Sequence, residues 1–344
     1  MRGWWIWRRG SYSLRLNRRR TILGISLLAA LSILSILLIP AGSHQTGSQE
    51  LLTLLRDPGA LPRDARMILT EVRLPRILLA LICGAMLGLS GAAMQTLTRN
   101  GLADPGLLGV KDGAAVGVVA LILLAPNASA ILRPAIGMAG GLLTALAVAA
   151  IARSLSHLRF VLIGIGVSWF LSAGLAILLT TADIRDVQTA LVWMAGSLDA
   201  ASWGDVRLSA LFCLAGAALL FATARGADVA LLGDAVAQGL GVRLGQLSIL
   251  RFAAPVLMTA VCVSVAGSLG FVGLIAPHLA RLGIGGGHAA HLAASALIGA
   301  GLVLAADSIG RLAFAPLHLP AGIVLALIGA PLLLALLWAR RDQL

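Results

Sequence analysis

Apolar residues in this chain run in long unbroken stretches, and the polar positions fall between them. An α-helix needs about 17–25 predominantly apolar residues to cross a hydrocarbon core of roughly 30 Å. Stretches of that kind occupy 22–39, 74–95, 107–125, 131–152, 159–181, 206–223, 252–269, 290–306 and 321–338, with a shorter glycine-rich one at 271–284. The pattern predicts an all-α polytopic integral membrane protein with about ten transmembrane helices.

Two connections are longer than simple joining requires. Residues 40–74 are polar and carry Pro58 and Pro62. Residues 224–250 read as an inner loop whose middle has helical spacing, with Val229, Leu232 and Val236 on one side and Gly241 as a stop. The spacing predicts a short helix lying on the membrane surface and available to a partner; a plain surface linker is the alternative. Residues 1–21 are basic, and Trp4, Trp5 and Trp7 suit a membrane interface. The start resembles a signal peptide, but the apolar run that follows is long enough to span and no A-x-A site closes it. The expected organisation is a basic cytoplasmic tail at 1–21, a transmembrane domain at 22–338 and a short cytoplasmic tail at 339–344.

Composition agrees. The chain is 59% hydrophobic and 12% charged, whereas soluble domains carry about 25% charged residues. Lipid must therefore be the main solvent. Forty glycines fit close helix–helix approach. The net charge of +12 sits in tails and loops, which points to membrane orientation rather than to nucleic acid. With both termini in the cytoplasm, seventeen of the twenty-six basic residues, Lys111 among them, fall on the inner side. A multi-pass membrane protein with both termini on the cytoplasmic side is the expectation. Five of the nine outer arginines lie between the first two spans (Arg56, Arg63, Arg66, Arg73 and Arg76), an excess that asks for its own explanation. Cys83, Cys213 and Cys262 lie in apolar stretches without CxxC spacing, as packed reduced thiols do.

Chemistry is limited by what is missing. Lys111 is the sole lysine, so no GxxxxGK[ST] loop exists to bind nucleotide. No HExxH or GxSxG string occurs, and an enzyme or a resident cofactor is not expected. His278, His288 and His291 have no nearby carboxylate or cysteine in sequence to complete a metal site. Ion-driven carriers place ionisable groups near the bilayer centre. Asp112 and Asp307 are the nearest candidates, and both fall toward the ends of expected spans. Energy for transport should then come from another subunit; an ion-gradient secondary transporter is the alternative from a different class.

Six strings recur in a fixed order: RLPR (73–76), SGAAMQ (90–95), RNGLADPGLLG (99–109), LLGDAVAQGLGV (231–242), GFVGLIAPHLAR (270–281) and LPAGIV…GAP (319–331). With them the chain resembles the FecCD family, the permease subunits of ABC importers for iron–siderophores, haem and cobalamin. Gly101 departs from the family's NPLADP pattern, which puts the stiffness of that turn in question. The resemblance implies a pair of permeases, homo- or heteromeric, with a path between them. It also implies two cytoplasmic ATPase subunits below and a periplasmic or lipid-anchored substrate-binding protein above. It assigns ATPase coupling to the helix at about 231–242, with Leu231, Leu232, Gly233, Asp234, Ala237, Leu240 and Gly241. It assigns binding-protein docking to Arg73, Arg76 and Arg311. Ser90, Met94 and Gln95 lie near the presumed path, with helix packing as an equal alternative. LIGIGV, WMAGSLDAASW and APLHLPAGIV most resemble ferric-enterobactin-type permeases. A ferric siderophore is therefore the expected cargo, with haem and cobalamin as alternatives.

Overall fold

The computed structural model describes residues 4–9, 12–40, 50, 53, 56, 57, 59, 61–125, 127–129, 131–152, 158–283, 286–315 and 317–339. Residues 41–49, 51, 52, 54, 55, 58 and 60 of the polar 40–74 connection and the expected tail beyond Ala339 lie outside the described residues. The basic N-terminal segment is a two-stranded antiparallel hairpin, β1 (Trp4–Arg9) and β2 (Tyr12–Asn17), in register from Trp4 opposite Asn17 to Arg9 opposite Tyr12. Asn17 then caps the first helix, its Oδ1 accepting from the Arg20 N–H at 3.3 Å. Beyond the hairpin the described chain is helical.

Thirteen helices follow among the described residues. They are α1 (Arg18–Leu38), α2 (Arg63–Leu97), α3 (Val110–Leu124), α4 (Leu132–Ala152), α5 (Leu158–Thr181), α6 (Ile184–Met194) and α7 (Trp203–Ala222). Then come α8 (Ala224–Ala230), α9 (Asp234–Gly239), α10 (Leu244–Ala266), α11 (Val272–Gly283), α12 (His288–Leu312) and α13 (Ala321–Ala339). Every apolar run expected to span coincides with one helix. Seven of them (α1, α2, α4, α5, α7, α10 and α12) are long and apolar enough to cross a membrane; α3 and α11 are shorter. α6 has no counterpart among the expected spans.

α2, α10 and α12 form the centre. Packing there rests on glycine. A Cβ at Gly84 would collide with the Gly299 carbonyl, and one at Gly299 with the Gly84 carbonyl, so α2 and α12 touch backbone to backbone. Leu79, Ala80, Cys83, Met86, Ala92 and Met94 of α2 are fully enclosed. α1, α5 and α7 lie at the periphery and show large apolar side chains outward, Trp169 and Phe170 among them. That face is what lipid or another membrane subunit would cover.

α2 defines two ends of the bundle, one at Arg76 and one at Arg99. α12 runs antiparallel to it, with His288 beside Thr96 and Asp307 beside Arg76. The Ile39 and Pro40 carbonyls, just after α1, bind Arg73, so α1 begins at the Arg99 end. α13 starts beside Ala195, near the Arg76 end, and also finishes at the Arg99 end.

The connection after α2 does not stay at the surface. Asp104 caps a single 3-10 turn (Pro105–Leu108), and Gly109 follows with φ +79°. A Cβ on Gly109 would lie 2.8 Å from Thr144 Cγ2 and 3.5 Å from Ser168 Oγ, residues near the middles of α4 and α5. α3 therefore begins about halfway through the bundle, and its 15 residues cover only about 22 Å. Lys111, counted above with the inner-side charges, and Asp112, expected toward a span end, both lie near mid-depth instead. The sequence hid this because the apolar run 107–125 is long enough to span by itself.

Candidate functional site

At the Arg99 end, α2 stops on a Schellman motif: the Asn100 N–H donates to the Gln95 carbonyl at 3.1 Å and the Arg99 N–H to the Thr96 carbonyl at 3.4 Å. The residue that must turn left-handed in this motif is usually glycine. Here it is Arg99, at φ +52°, which costs roughly 1–2 kcal/mol of backbone energy. Its side chain turns that geometry to use. Nη2 donates to the Ala230 carbonyl at 3.0 Å and to Asp234 Oδ1 at 2.5 Å, tying the end of α2 to the loop between α8 and α9.

That loop carries the coupling residues expected from sequence. Instead of one helix over 231–242, the chain makes α8, a turn at Leu231–Leu232, and a helix confined to Asp234–Gly239. Gly233, at φ +108°, breaks the two apart. Gly241, at φ +84°, ends the second with its own Schellman pair: Val242 N–H to the Ala237 carbonyl and Gly241 N–H to the Gln238 carbonyl, each 2.9 Å. Gly241 therefore does act as the stop. Ala237 is enclosed and anchors the segment. Leu231, Leu232, Val236 and Leu240 stand exposed, from 48% to 65%, and form an apolar knob beyond the apolar helices.

Beside this knob is a polar cavity of about 470 Å³ whose lining includes Gln95, Thr96, Arg99, Asp228, Arg281 and His288. Arg281 Nη2 donates to Gln95 Oε1 at 2.5 Å. Asp228 accepts the His288 backbone N–H at 2.8 Å. The His288 ring sits between Thr96 Oγ1 and the buried Arg251 guanidinium, which lies against its Nε2. Neither this network nor the Arg99 tie was read from the sequence. An arginine directly after a helix, where glycine or asparagine is the common stop, was the available signal. His278, His288 and His291 take part in no cluster of three or more metal-binding side chains among the described residues.

At the other end, α2 contains a π-helical turn (Ile68–Arg73) at whose end Arg73 is buried. Arg73 Nη1 donates to the Ile39 and Pro40 carbonyls at 2.9 and 2.8 Å. Arg76 grips Asp307 through Nε (3.1 and 2.9 Å) and Nη2 (2.7 Å), and its Nη1 pairs with Asp199. Asp307 is 3% exposed and Asp199 49%. Partial burial on its own would raise the Asp199 pKa, but the charge of Arg76 and hydrogen bonds from Ser197 and Arg76 hold it below the usual carboxylate value. Arg311 is buried in the same neighbourhood. The three arginines named for docking thus gather at one end, with their side chains turned inward.

Ser90, Met94 and Gln95 are enclosed as well. Ser90 Oγ donates to the Pro255 carbonyl at 3.4 Å, and Gln95 Nε2 approaches the Gly273 and Leu274 carbonyls at 3.5 and 3.4 Å. They join α2 to α10 and α11. The cysteines are free; Cys83 and Cys262 are buried against each other across α2 and α10, with Cys262 Sγ 4.0 Å from the Cys83 carbonyl.

The sequence profile of the FecCD transport family matches residues 24–339. The achromobactin transport system permease protein of Dickeya dadantii is 37% identical, over 98% of this chain and 97% of its own. The cobalamin import system permease protein of Halobacterium salinarum is 40% identical, over 80% of this chain and 75% of its own. Among solved structures, an ABC transporter of metal-chelate type in an inward-facing conformation superposes with a TM-score of 0.83 at 28% identity, covering 93% of this chain and 99% of that one.

Proposed function

The chain belongs to the FecCD transport family, and on that premise we propose that it is the permease subunit through which an ATP-driven importer moves a ferric siderophore into the cytoplasm. The coarser part needs no proposal: it is a multi-pass ABC transporter permease of the class that handles iron–siderophores, haem or cobalamin. Within this reading the Arg99 end faces the cytoplasm, both termini lie there, and the membrane is the inner one.

The observation that carries the reading is the apolar knob of Leu231, Leu232, Val236 and Leu240, fixed to α2 through Arg99 and Asp234. A cluster of large apolar side chains exposed in this way marks a surface for another protein or for lipid. A cleft in a partner ATPase is the proposed cover, and its closure would tilt α2 through the Arg99 tie as a rigid-body movement. At the outer mouth, Arg73, Arg76 and Arg311 supply positive charge for an acidic binding protein. Arg76 already holds two carboxylates, so its part in docking is an exchange in which a partner's carboxylate replaces the half-exposed Asp199. Ser90, Met94 and Gln95 serve as packed wall, and the path itself runs between two permeases.

The test is reconstitution with the neighbouring ATPase and binding protein, followed by uptake of iron chelates. Uptake that needs ATP and survives an uncoupler is the expected result. Uptake that collapses with the uncoupler, or accumulation by vesicles holding this subunit alone, would replace the proposal with an ion-driven carrier.

A further inference from the structure

A second cavity, of about 330 Å³, lies between α3, α5, α6 and α10, and its lining includes Lys111, Asp112, Ser172, Trp193 and Ser268. Its position is unusual for such charges. Gly109 sits at the middle of α4 and α5, and the lining residues of α5 (Ser172, Leu175, Ala176 and Leu179) continue from there toward the Arg76 end. The cavity therefore occupies the outer half of the membrane body. A lysine in that region is costly unless it is paired or serves a function. Among the described residues no carboxylate lies within 4 Å of the Lys111 amine. Asp112 is its chain neighbour, and adjacent positions on a helix do not face each other. Asp104, whose Oδ1 accepts the Gly106 N–H at 2.7 Å, makes no ion pair with Lys111 within 4 Å.

We infer that this cavity is a contact point for the cargo in transit, at which the Lys111 ammonium receives an anionic oxygen group of the chelate. This deepens the importer reading and rests on it. The surroundings fit the role. Ser172 and Ser268 add hydroxyl donors, and Trp193 presents an aromatic wall to a planar aryl group. Asp112 in the same lining keeps the net charge of the cavity near zero, so an anion is held weakly. Weak holding suits a path, because binding must favour entry without preventing exit. The wall formed by α5 belongs to the peripheral surface that a second permease would cover, which places the cavity beside the proposed route.

Because Lys111 is the sole lysine of this chain, acylation read by mass spectrometry on the peptide that carries it reports on that one side chain. In the complete, unaltered transporter in proteoliposomes, a small acylating reagent added outside should modify Lys111. A trianionic ferric tris-catecholate should slow that reaction about tenfold and a neutral ferric trihydroxamate less than about twofold. Equal protection by both, or by neither, overturns the inference. Independently, Lys111→Gln should lower uptake of iron from the catecholate about tenfold while Lys111→Arg stays within about twofold of the unaltered protein; undiminished uptake in Lys111→Gln overturns it. An unaltered complex that moves no iron on ATP would defeat the importer reading alone and leave the acylation result to judge the lysine.

Discussion

Arg99 Nη2 lies 2.5 Å from Asp234 Oδ1, although 135 positions separate the two residues. One is the left-handed residue that ends α2, and the other opens the short helix of the proposed coupling segment. Both side chains are more than half exposed, so the pair contributes at most about 1 kcal/mol to stability. Its value is geometric. Arg99→Gly would relieve the left-handed strain while cutting the tie. Thermal stability in detergent should therefore change little, while ATP-driven uptake falls severalfold and ATP hydrolysis loses its dependence on cargo. Retained coupling in Arg99→Gly would remove the tie from the mechanism.

Gly241 should tolerate substitution less well than Gly239. Neither would crowd a neighbour, since an added Cβ meets nothing within 4 Å at either position. Only Gly241 has a positive φ, which costs a non-glycine residue roughly 1–2 kcal/mol. Gly241→Ala is expected to loosen the end of the segment and lower uptake, and Gly239→Ala to be neutral or slightly stabilising. Uptake assays on the two variants at equal expression decide the matter.

The α2–α12 contact predicts a severe packing defect. A Cβ at Gly84 would meet the Gly299 carbonyl and the Ala300 Cα, backbone atoms that cannot rotate away. Gly84→Ala should destabilise by about 3 kcal/mol or more, seen as lost yield and a lowered melting temperature in detergent. Gly24→Ala, where nothing lies within 4 Å, is the matched neutral control.

Arg76 and Asp307 form a pair whose carboxylate is almost wholly enclosed. Arg76→Met would leave that carboxylate buried without its partner, at a cost of about 3–5 kcal/mol. Asp307→Asn added to Arg76→Met should recover part of the loss, because the buried charge is gone. A double-mutant cycle on thermal unfolding measures the difference, and simple additivity would show that the two residues do not act together.

Asp199 gives the outer end a pH dependence with a definite sign. Its pKa is depressed in the folded protein, so its contribution is complete above the unfolded value of about 3.9 and is lost as pH falls through the folded value. The melting temperature should drop between about pH 5 and about pH 2 by less in Asp199→Asn than in the parent protein. Identical pH profiles would contradict the assignment.

The spans were legible because lipid-facing helices need only length and apolarity, which 22–39 and 159–181 display without interruption. α6 was missed for the complementary reason: its 11 residues include Arg185, Asp186, Gln188 and Thr189, so no apolar run marks it. Its apolar residues Ile184, Val187, Leu191 and Met194 do keep helical spacing. The depth of Lys111 was hidden because hydropathy records how apolar a stretch is, not where along the membrane normal it begins. Arg73 is buried at the end of a π-helical turn, and Arg76 turns inward onto Asp307, a residue 231 positions away. No local pattern announces a partner at that distance. Gly101, flagged as a departure from the family string, does not adopt a positive φ, so the turn makes no use of the freedom glycine offers there.

The backbone contact between Gly84 and Gly299 has a mechanical consequence. With no side chain between them to compress or rotate, α2 and α12 behave as one stiff spar that pivots more readily than it bends. One tip of that spar carries Arg99 and the other carries Arg76 with its two carboxylates. A push delivered at the first tip, of the kind proposed for the Arg99 tie, would then be carried to the second.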